Sequence, residues 1–600
     1  SSWISLLLAA AAAADSKQED VFTEHDALDT LFHLPLRQPG LGGSTLPSAA
    51  AADLQQRLQD AATAGVPIVR IPAGDYRFGN ANLALTSASN MQIVFEPGAT
   101  LWFNYSKGFN ISNSTNLTVT GGTIDYDPPC FAQGVVTAVG PGLGDLSKEH
   151  LNASELEAVF DPSFVMPDNE RMFRYHQARV KIGFWEPKLL QLQELHDGPK
   201  FAVGAQRIGT ALANADRFQA VIAAAAAYNS SMRTSPAEGH SASHKPAAFR
   251  ITTSLRDMKG VRPYHSLVAI FGRAGLTFHL DHCTNVTTQS LRVHGGGNMA
   301  VTEFYGYGGH VHKDLKLIRR PGASPVRLLT SNADGFHSTS LVKGTVLTHS
   351  TISHCGDDAY NSHNFLQILF KHEGERTLYV LDTDQGNTLA VLEKSWPLGG
   401  VWSRLQVHEF RRQTYDPIFT EVAVVGIARD SDPSILQAAE LALQQLRSMG
   451  VATMRNTAHF RVFRVAIADP LPASFPQYAL INYGAVATAG AMVLHSRLTD
   501  AYDRALNFKG QNGVVAHNFF ARAGQMCFQT SITWLVGPLD FQNVAVLYNR
   551  VQNVEQPQFV SRDGVSFWKR NITFQGNKCF PDSCQESDDP GPHLLEEIQV

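Results

Sequence analysis

The sequence carries little charge for its length. Charged residues make up 17% of the 600 residues, and the formal net charge is only -5 at pH 7. Proteins that bind nucleic acids concentrate Lys and Arg on one face, and strong fields of one sign steer charged substrates. The sequence therefore predicts no nucleic-acid partner and favours a neutral ligand. With 44% hydrophobic residues, the chain can nevertheless bury a large core.

The start of the chain has no hydrophobic run long enough to span a membrane. The apolar run from Trp3 to Ala14 has 12 residues, which is too short for a bilayer and typical of a signal-peptide core. Eight Asn-X-Ser/Thr sequons accompany it. They are Asn104, Asn110, Asn113, Asn116, Asn152, Asn229, Asn285 and Asn571. We therefore expect a secreted glycoprotein without a membrane span.

The sequence also lacks the common zinc-binding motifs. The six cysteines form no CxxC pair, and no HExxH motif occurs. His310 and His312 have zinc-ligand spacing on a predicted strand, but the sequence shows no third ligand. We predict neither a metal nor another cofactor. Cys579 and Cys584 are close enough to form a disulfide bond.

Short strand-forming segments recur along the chain, and Asn-Gly or Asp-Gly hairpin signals between them are few. The segments share a turn residue followed by Val, Ile or Leu alternating with small or polar residues. They are NSTNLTVTGGTID, HCTNVTTQSLRVH, VKGTVLTHSTISH, GQNGVVAHNFFAR, FQNVAVLYNRVQN and WKRNITFQGNKCF. Matching apolar positions lie 31 residues apart from Leu315 to Val346 and 28 from Val544 to Ile572. Such a period indicates stacked coils, so we predict an all-β, right-handed parallel β-helix.

Two stretches interrupt this repeat. Residues 160 to 262 predict helices or loops, and 365 to 480 predict a β-rich, barrel-like module. The second stretch contains one helix, capped near Asp432 and ended by Gly450. The predicted domains are a signal-like leader and N-terminal segment (1–48), a first β-helix part (49–364), the inserted module (365–480), and a last β-helix part with a C-terminal tail (481–600).

Three carboxylates lie about one coil apart. Asp334 precedes Asp357 and Asp358 by 23 and 24 residues, so stacked coils would bring them to one face. Crowded carboxylates repel, which raises the pKa of one while another stays ionised. Glycoside hydrolysis needs that division between acid and base, and inverting enzymes separate the two groups by about 6.5 to 9.5 Å. A solvated Asp-Gly turn is the simpler alternative.

At these residues the sequence resembles the pectin-lyase-like β-helix superfamily, and particularly glycoside hydrolase family 110, the inverting α-1,3-galactosidases. The resemblance is carried by RLLTSNADGFHS (327–338) and GDDAYNSH (356–363). It implies catalytic roles for the three aspartates. Asn361, His363, His337, Arg504 and Glu303 are further candidates for contact with substrate.

The resulting prediction is a secreted, inverting glycosidase that removes α-linked galactose from a neutral glycan. A polygalacturonase-like hydrolase of pectin is the first alternative, with Arg504 and Lys509 as the nearest equivalents of its basic residues. The second is a non-catalytic glycan-binding or cell-wall β-helix protein. A polysaccharide lyase would need a calcium site and a basic proton acceptor. The oligomeric state stays open.

Overall fold

The predicted all-β architecture, a parallel β-helix, is confirmed in the computed structural model of the chain. Besides its strands, the described part has two helices, α1 (Ala49–Thr63) and α2 (Pro433–Ser448). No helix in this part is long and apolar enough to cross a bilayer. The structure describes residues 46–104, 107–139, 155–160, 164, 181–186, 191–192, 202–210, 247–253, 267–272, 275–323, 326–363, 367–382, 404–409, 417–448, 461–471, 479–482, 489–523, 540–552 and 568–580.

Three parallel sheets, named A, B and C in the order in which each coil visits them, form the faces of the β-helix. Sheet A has ten strands: Ile68–Ile71, Ser89–Phe95, Thr115–Thr120, Thr284–Gln289, Val311–Lys313, Val346–Thr348, Met492–Leu494, Val514–Ala516, Asp540–Leu547 and Trp568–Gln575. Sheet B also has ten: Gly74–Gly79, Ala99–Phe103, Thr123–Tyr126, Arg292–Val293, Lys316–Leu317, Thr351–Ser353, Arg497–Thr499, Phe519–Ala521, Arg550–Gln552 and Lys578–Phe580. Sheet C has seven: Leu83–Thr86, Phe109–Ser112, Phe278–Asp281, Val301–Phe304, Phe336–Thr339, Tyr360–His363 and Leu506–Phe508.

The register of the strands tests the repeat read from the sequence. Val544 pairs with Ile572, as the 28-residue spacing predicts. Val346 pairs instead with Val311, whereas Leu315 lies in the following corner. The spacing between coils therefore varies with the lengths of the corners, while the strand pairing stays regular.

Side chains that alternate along each strand fill the interior of the coils. Phe336 stacks on Tyr360 in the next coil, with ring centroids 5.2 Å apart and 4° between the ring planes. Each fully buried ring of this kind stabilises the fold by about 1.5 to 3 kcal/mol. Polar residues interrupt the apolar stack beneath sheet A, where Thr288 Oγ1 lies 2.7 Å from His312 Nδ1.

Helix α1 covers the first coil. It begins after Ser48, whose Oγ accepts a hydrogen bond from Ala51 N. Leu54 and Leu58 are buried against the coil. The helix thus protects the apolar interior at the open end of the β-helix, which would otherwise be exposed.

The first insertion leaves sheet B after Tyr126 and returns before Phe278. It forms a seven-stranded antiparallel sheet in the order Gln191–Leu192, Lys181–Glu186, Leu267–Phe271, Phe131–Val139, Glu155–Phe160, Ala247–Thr253 and Ala202–Thr210. The prediction of helices or loops for 160 to 262 is therefore wrong where this stretch is described. Its residues form strands because they pair with segments distant in sequence, as Ala202–Thr210 does with Ala247–Thr253, and local periodicity does not reveal such pairing.

The second insertion follows the sheet C strand that ends at His363. Six strands close into an antiparallel barrel in the order Gln367–Glu373, Thr377–Asp382, Arg461–Ile467, Pro417–Asp430, Arg404–Glu409 and Ala479–Asn482. Helix α2 lies between two of these strands. Asp432 Oδ1 accepts hydrogen bonds from Ser434 N at 2.8 Å and from its hydroxyl, so Asp432 caps this helix.

Candidate active site

The three aspartates lie in the corner between sheets B and C of two neighbouring coils. Asp334 precedes the strand Phe336–Thr339, and Asp357 and Asp358 precede Tyr360–His363, its neighbour in sheet C. Cα partners in this pair of strands are 24 residues apart, as in Phe336 and Tyr360. Asp334 and Asp358 therefore occupy equivalent positions in successive coils.

The carboxylates come very close together. One oxygen from each of the three lies within 4.8 Å of the others. Asp334 and Asp358 are 2% exposed, and Asp357 is 8% exposed. This spacing is shorter than the 6.5 to 9.5 Å expected for an inverting pair, because the groups stay close to the coil spacing of about 4.8 Å instead of splaying apart.

Two side chains fix Asp334. Asn361 Nδ2 donates to its Oδ2 at 3.0 Å, and His337 Nδ1 makes a short hydrogen bond to the same oxygen. His337 and Asn361 pair in register on adjacent strands. These two candidates from the sequence therefore contact a proposed catalytic carboxylate directly.

Asp358 is held from a third coil. Its Oδ1 accepts hydrogen bonds from Arg504 N and Arg504 Nη1, both at 3.2 Å. Its Oδ2 accepts one from Asn507 Nδ2 at 2.9 Å. Asn507 was missed from the sequence, although its place in register with Asn361 on sheet C is a usable signal. Arg504 also pairs with Asp503 at 3.0 Å.

Asp358 and Arg504 both have shifted pKa values, and each shift has a physical cause in the cluster. Burial raises the pKa of Asp358 to about 8, against the opposing charge of Arg504 and with help from Asp503, Asp334 and Asp357. Burial alone would lower the pKa of Arg504, but the neighbouring carboxylates raise it above its usual value. Asp358 therefore keeps a proton near neutral pH beside a permanently charged guanidinium.

The two remaining candidates differ in position. His363 lies at the far end of its strand, where its Nδ1 is 3.2 Å from Thr339 Oγ1 and its ring is 4.7 Å from that of His337. Glu303 is fully buried inside the coil, bound to His312 Nε2 at 2.7 Å and to the hydroxyl of Thr345. The prediction that Glu303 contacts substrate is wrong, because strand alternation turns its side chain inward.

The first insertion forms a wall beside the cluster. Asn332 Nδ2 donates to the carbonyls of Cys130 and Gly272, the latter at 2.9 Å, near the two ends of the insertion. The rings of Phe271 and Tyr502 meet edge to face with centroids 5.6 Å apart. The aspartate corner is thereby packed against a second sheet, which limits access by water.

Two amide oxygens beside the aspartates have no hydrogen-bond partner in the described part of the chain. They are Oδ1 of Asn361 and Oδ1 of Asn507, whose Nδ2 atoms bind Asp334 and Asp358. Both oxygens are suited to accept hydrogen bonds from sugar hydroxyls. The three carboxylates also have the donor type of a hard-cation site, but Arg504 already supplies a positive charge to Asp358.

Comparison with known proteins gives remote structural matches only. No protein-family model matches the chain, and no curated protein is significantly similar to it. The A-module of mannuronan C-5 epimerase AlgE4 from Azotobacter vinelandii matches over 90% of this chain and 93% of its own, with 8% identity and a TM-score of 0.28. The surface adhesin PfbA of Streptococcus pneumoniae matches over 90% and 79%, with 8% identity and a TM-score of 0.26.

The Gp54 tailspike of Acinetobacter baumannii bacteriophage AP22, solved with a capsular saccharide, matches over 94% of this chain and 73% of its own. Its sequence identity is 6% and its TM-score is 0.18. TM-scores of this size carry no argument about activity. The β-helix is established here by its own strand pairing.

Proposed function

We propose that this protein is a secreted, inverting glycoside hydrolase that removes α-linked galactose, with an α-1,3 linkage preferred, from a neutral glycan. The observation that carries the proposal is the meeting of Asp334, Asp357 and Asp358 within 4.8 Å. A merely solvated turn would leave such carboxylates exposed, whereas all three are buried. Buried, crowded carboxylates are costly to a fold and are typical of acid and base chemistry.

The arrangement divides the chemical roles. Asp358 keeps a proton near neutral pH and would donate it to the glycosidic oxygen. Asp334 accepts hydrogen bonds from His337 and Asn361, and it would act as the base that activates water. Asp357, the most exposed of the three, would lie nearest the bound sugar. The family 110 resemblance implies inversion, which the carboxylate spacing does not.

The charges near the cluster favour a neutral sugar over a uronate. Arg504 already pairs with Asp358 and Asp503, and Lys509 is fully buried. A uronate carboxylate would therefore meet four aspartates in this corner without a free cation among these residues. This observation supports a neutral sugar in preference to the pectin-hydrolase alternative.

Secretion is proposed on two further features. Cys579 forms a disulfide bond, which is favoured in oxidising compartments. Its predicted partner, Cys584, lies outside the described residues. Among the sequons, Asn113, Asn116 and Asn285 are exposed. Expression through a secretory route followed by deglycosylation should lower the apparent mass, and an unchanged mass would remove the glycoprotein assignment.

Hydrolysis assays test the proposed function. Wild-type protein is incubated with an aryl α-galactoside, α-1,3-linked galactobiose and polygalacturonate. We expect release of galactose from the first two, and an NMR spectrum taken within minutes should show the inverted anomer. Cleavage of polygalacturonate alone would establish the pectin alternative, whereas galactoside binding without turnover would favour a glycan-binding protein. A retained anomer would refute inversion while leaving hydrolysis in place.

The pH dependence of turnover gives an independent check. Because Asp358 must be protonated to act as an acid, kcat should fall as pH rises through about 8. The rate should also fall in acid as the base becomes protonated. A rate that stays constant from pH 6 to pH 10 would exclude Asp358 as the proton donor.

A further inference from the structure

A row of aromatic rings crosses the outer face of sheet C, beginning at the aspartate cluster. We call it the ring strip, and its members are His363, His337, Phe304, His279, Tyr305 and His282. Neighbouring centroids are 4.7 Å apart from His363 to His337, 5.8 Å from His337 to Phe304 and 5.1 Å from Phe304 to His279. The strip then turns through Tyr305, whose ring lies 6.2 Å from Phe304 and 5.6 Å from His282.

The position of the strip follows from strand alternation. His279 pairs in register with Thr302, Thr302 with His337, and His337 with Asn361. This row therefore lies on the outer face, opposite to the buried Phe336 row. The strip covers four consecutive strands of sheet C. At about 4.8 Å between strands it is about 14 Å long, which is longer than one sugar ring.

The exposure of the strip changes along its length. His337, which bonds Asp334, and His363, whose ring contacts that of His337, are buried. Phe304, Tyr305 and His282 are partly exposed. The strip thus leads from the buried acidic corner to the surface of the protein. Rings arranged in this way offer apolar area for the C–H faces of sugars, and their polar atoms can bind hydroxyls.

The charge beside the strip restricts the class of ligand. Asp281 Oδ1 lies 2.9 Å from His282 Nδ1, and its side chain is 38% exposed. Asp334 adjoins the other end through His337. A carboxylate at each end disfavours an acidic glycan and suits a chain of neutral sugars.

We propose that the ring strip binds two or more neutral sugar units of a glycan chain whose reacting bond lies at the aspartate cluster. This inference rests on the proposed function and extends it, because it makes an extended neutral glycan, and not a short galactoside, the preferred substrate. Contacts with successive rings would increase affinity with chain length. An enzyme that recognised only the terminal sugar would show no such dependence.

Binding assays separate this proposal from the proposed chemistry. Asp334→Asn protein, which should bind without turnover, is titrated calorimetrically with neutral α-linked galacto-oligosaccharides of two to five units. Uronate oligosaccharides of equal length serve as the acidic comparison. We expect affinity for the neutral series to rise by about tenfold with length, which corresponds to about 1.4 kcal/mol from the added ring contacts.

The ring variants have a closely matched control. Tyr305 and Tyr548 are both tyrosines in the left-handed region, with φ of 55° and 53°, but Tyr548 lies at the corner between sheets A and B. Asn adopts this conformation readily. In the Asp334→Asn background, Tyr305→Asn and Phe304→Ala should each flatten the dependence on length, while Tyr548→Asn should preserve it. Melting curves identify a variant that has not folded.

The possible results are distinct. Affinity independent of length, stronger binding of the uronate series, or equal effects of Tyr305→Asn and Tyr548→Asn would each overturn the ring strip as a binding surface. If Phe304→Ala does not fold, Tyr305→Asn decides the question. Length-dependent binding by a protein that hydrolyses nothing would support the strip and refute the hydrolase. Hydrolysis without length dependence would do the reverse.

Discussion

Two of the three corners of each coil share a backbone conformation but differ in chemistry. We call the corner between sheets A and B the solvated corner, and the corner between sheets B and C the enclosed corner. At the corner between sheets A and B, His349, His495, His517 and Tyr548 all have positive φ and stack with centroids 5.0 to 5.2 Å apart. At the corner between sheets B and C, His354, Asp500 and Arg522 also have positive φ. There Arg522 and Asp500 form a partly buried ion pair, and the aspartate cluster follows directly.

Burial accounts for this difference. Like side chains can stack in water at the first corner, where Tyr548 is 45% exposed. At the second corner Arg522 makes two hydrogen bonds to Asp500, at 2.7 and 2.8 Å. His354 is half-buried, and the removal of its ring from water, together with the charge of Arg319, lowers its pKa to about 3. Where successive coils place similar, solvated side chains at a corner, those side chains have a structural role. Where successive coils bring opposite charges together away from water, the corner is a candidate for chemistry.

The largest expected effect comes from removing a carboxylate at the enclosed corner. Asp334→Asn, Asp357→Asn and Asp358→Asn should each lower kcat on an aryl α-galactoside by about two orders of magnitude or more. Asp314→Asn is the control, because Asp314 is an exposed carboxylate at the solvated corner, and Asn readily adopts its φ of 53°. Three unchanged rates, or an equal loss in Asp314→Asn, would eliminate the proposed site.

A methyl group added at Gly356 should lower the free energy of unfolding, whereas the same change at Gly426 in the barrel should not. A Cβ on Gly356 would lie 2.7 Å from Asn332 O and from Phe271 Cε2, so Gly356→Ala must push the insertion away from the aspartate corner. We expect a loss of about 1 to 3 kcal/mol of unfolding free energy, together with reduced turnover. In the barrel, Gly426→Ala meets only Ala466 Cβ at 3.8 Å and should leave urea unfolding nearly unchanged. Matching curves for the two variants would contradict the packing described here.

The contributions of two aspartates of the enclosed corner to stability should change with pH in opposite directions. The pKa of Asp358 is raised by burial, so its contribution to stability is present below about pH 4 and is lost as pH rises through about 8. Asp358→Asn should therefore gain stability relative to wild type between pH 4 and pH 8, even as activity is lost. Thermal melts across this range would show the trend.

Asp500 provides the comparison. Burial opposes its ionisation, but His354 and the hydrogen bonds from Arg522 hold its pKa below the usual value. Its contribution to stability is present above about pH 4 and is lost as pH falls through the folded pKa. Asp500→Asn should consequently lose stability relative to wild type as pH rises from 2 to 5. Slopes of the same sign for the two variants would show that the assigned environments are incorrect.

The smallest effect is expected at the exposed stack. His495→Ala removes one ring between His349 and His517, and such ring pairs contribute about 0.5 to 1.5 kcal/mol. Galactoside turnover should not change, because a sheet B strand separates the stack from the aspartate corner in each coil. Denaturant unfolding and kcat measured on one preparation check both points. A large loss of kcat would mean that the corners are coupled.

Sequence patterns predict the coil well but misread some of its parts. Alternating apolar residues identified the parallel strands, and the spacing of Asp334 to Asp358 equals the 24-residue offset of the paired strands. The sequons show a different limit. Asn116 Nδ2 donates to Asn90 and Asn285 Nδ2 donates to Asn116, at 3.0 and 3.2 Å. These asparagines form a structural ladder in the left-handed region, which also explains their abundance.

By itself, the sequence determined the repeating strands and the proximity of the three aspartates, because both depend on residues separated by about one coil. Tertiary structure decided which groups surround them. Arg504 reaches Asp358 across 146 residues of sequence, after an entire barrel has been inserted and the chain has returned to the next coil. Tertiary structure also decided that the face of the strand that carries Glu303 packs inside the coil, and that the first insertion packs against Gly356. Local patterns do not encode such contacts, since they depend on how distant strands pair and on the depth at which each charge is buried.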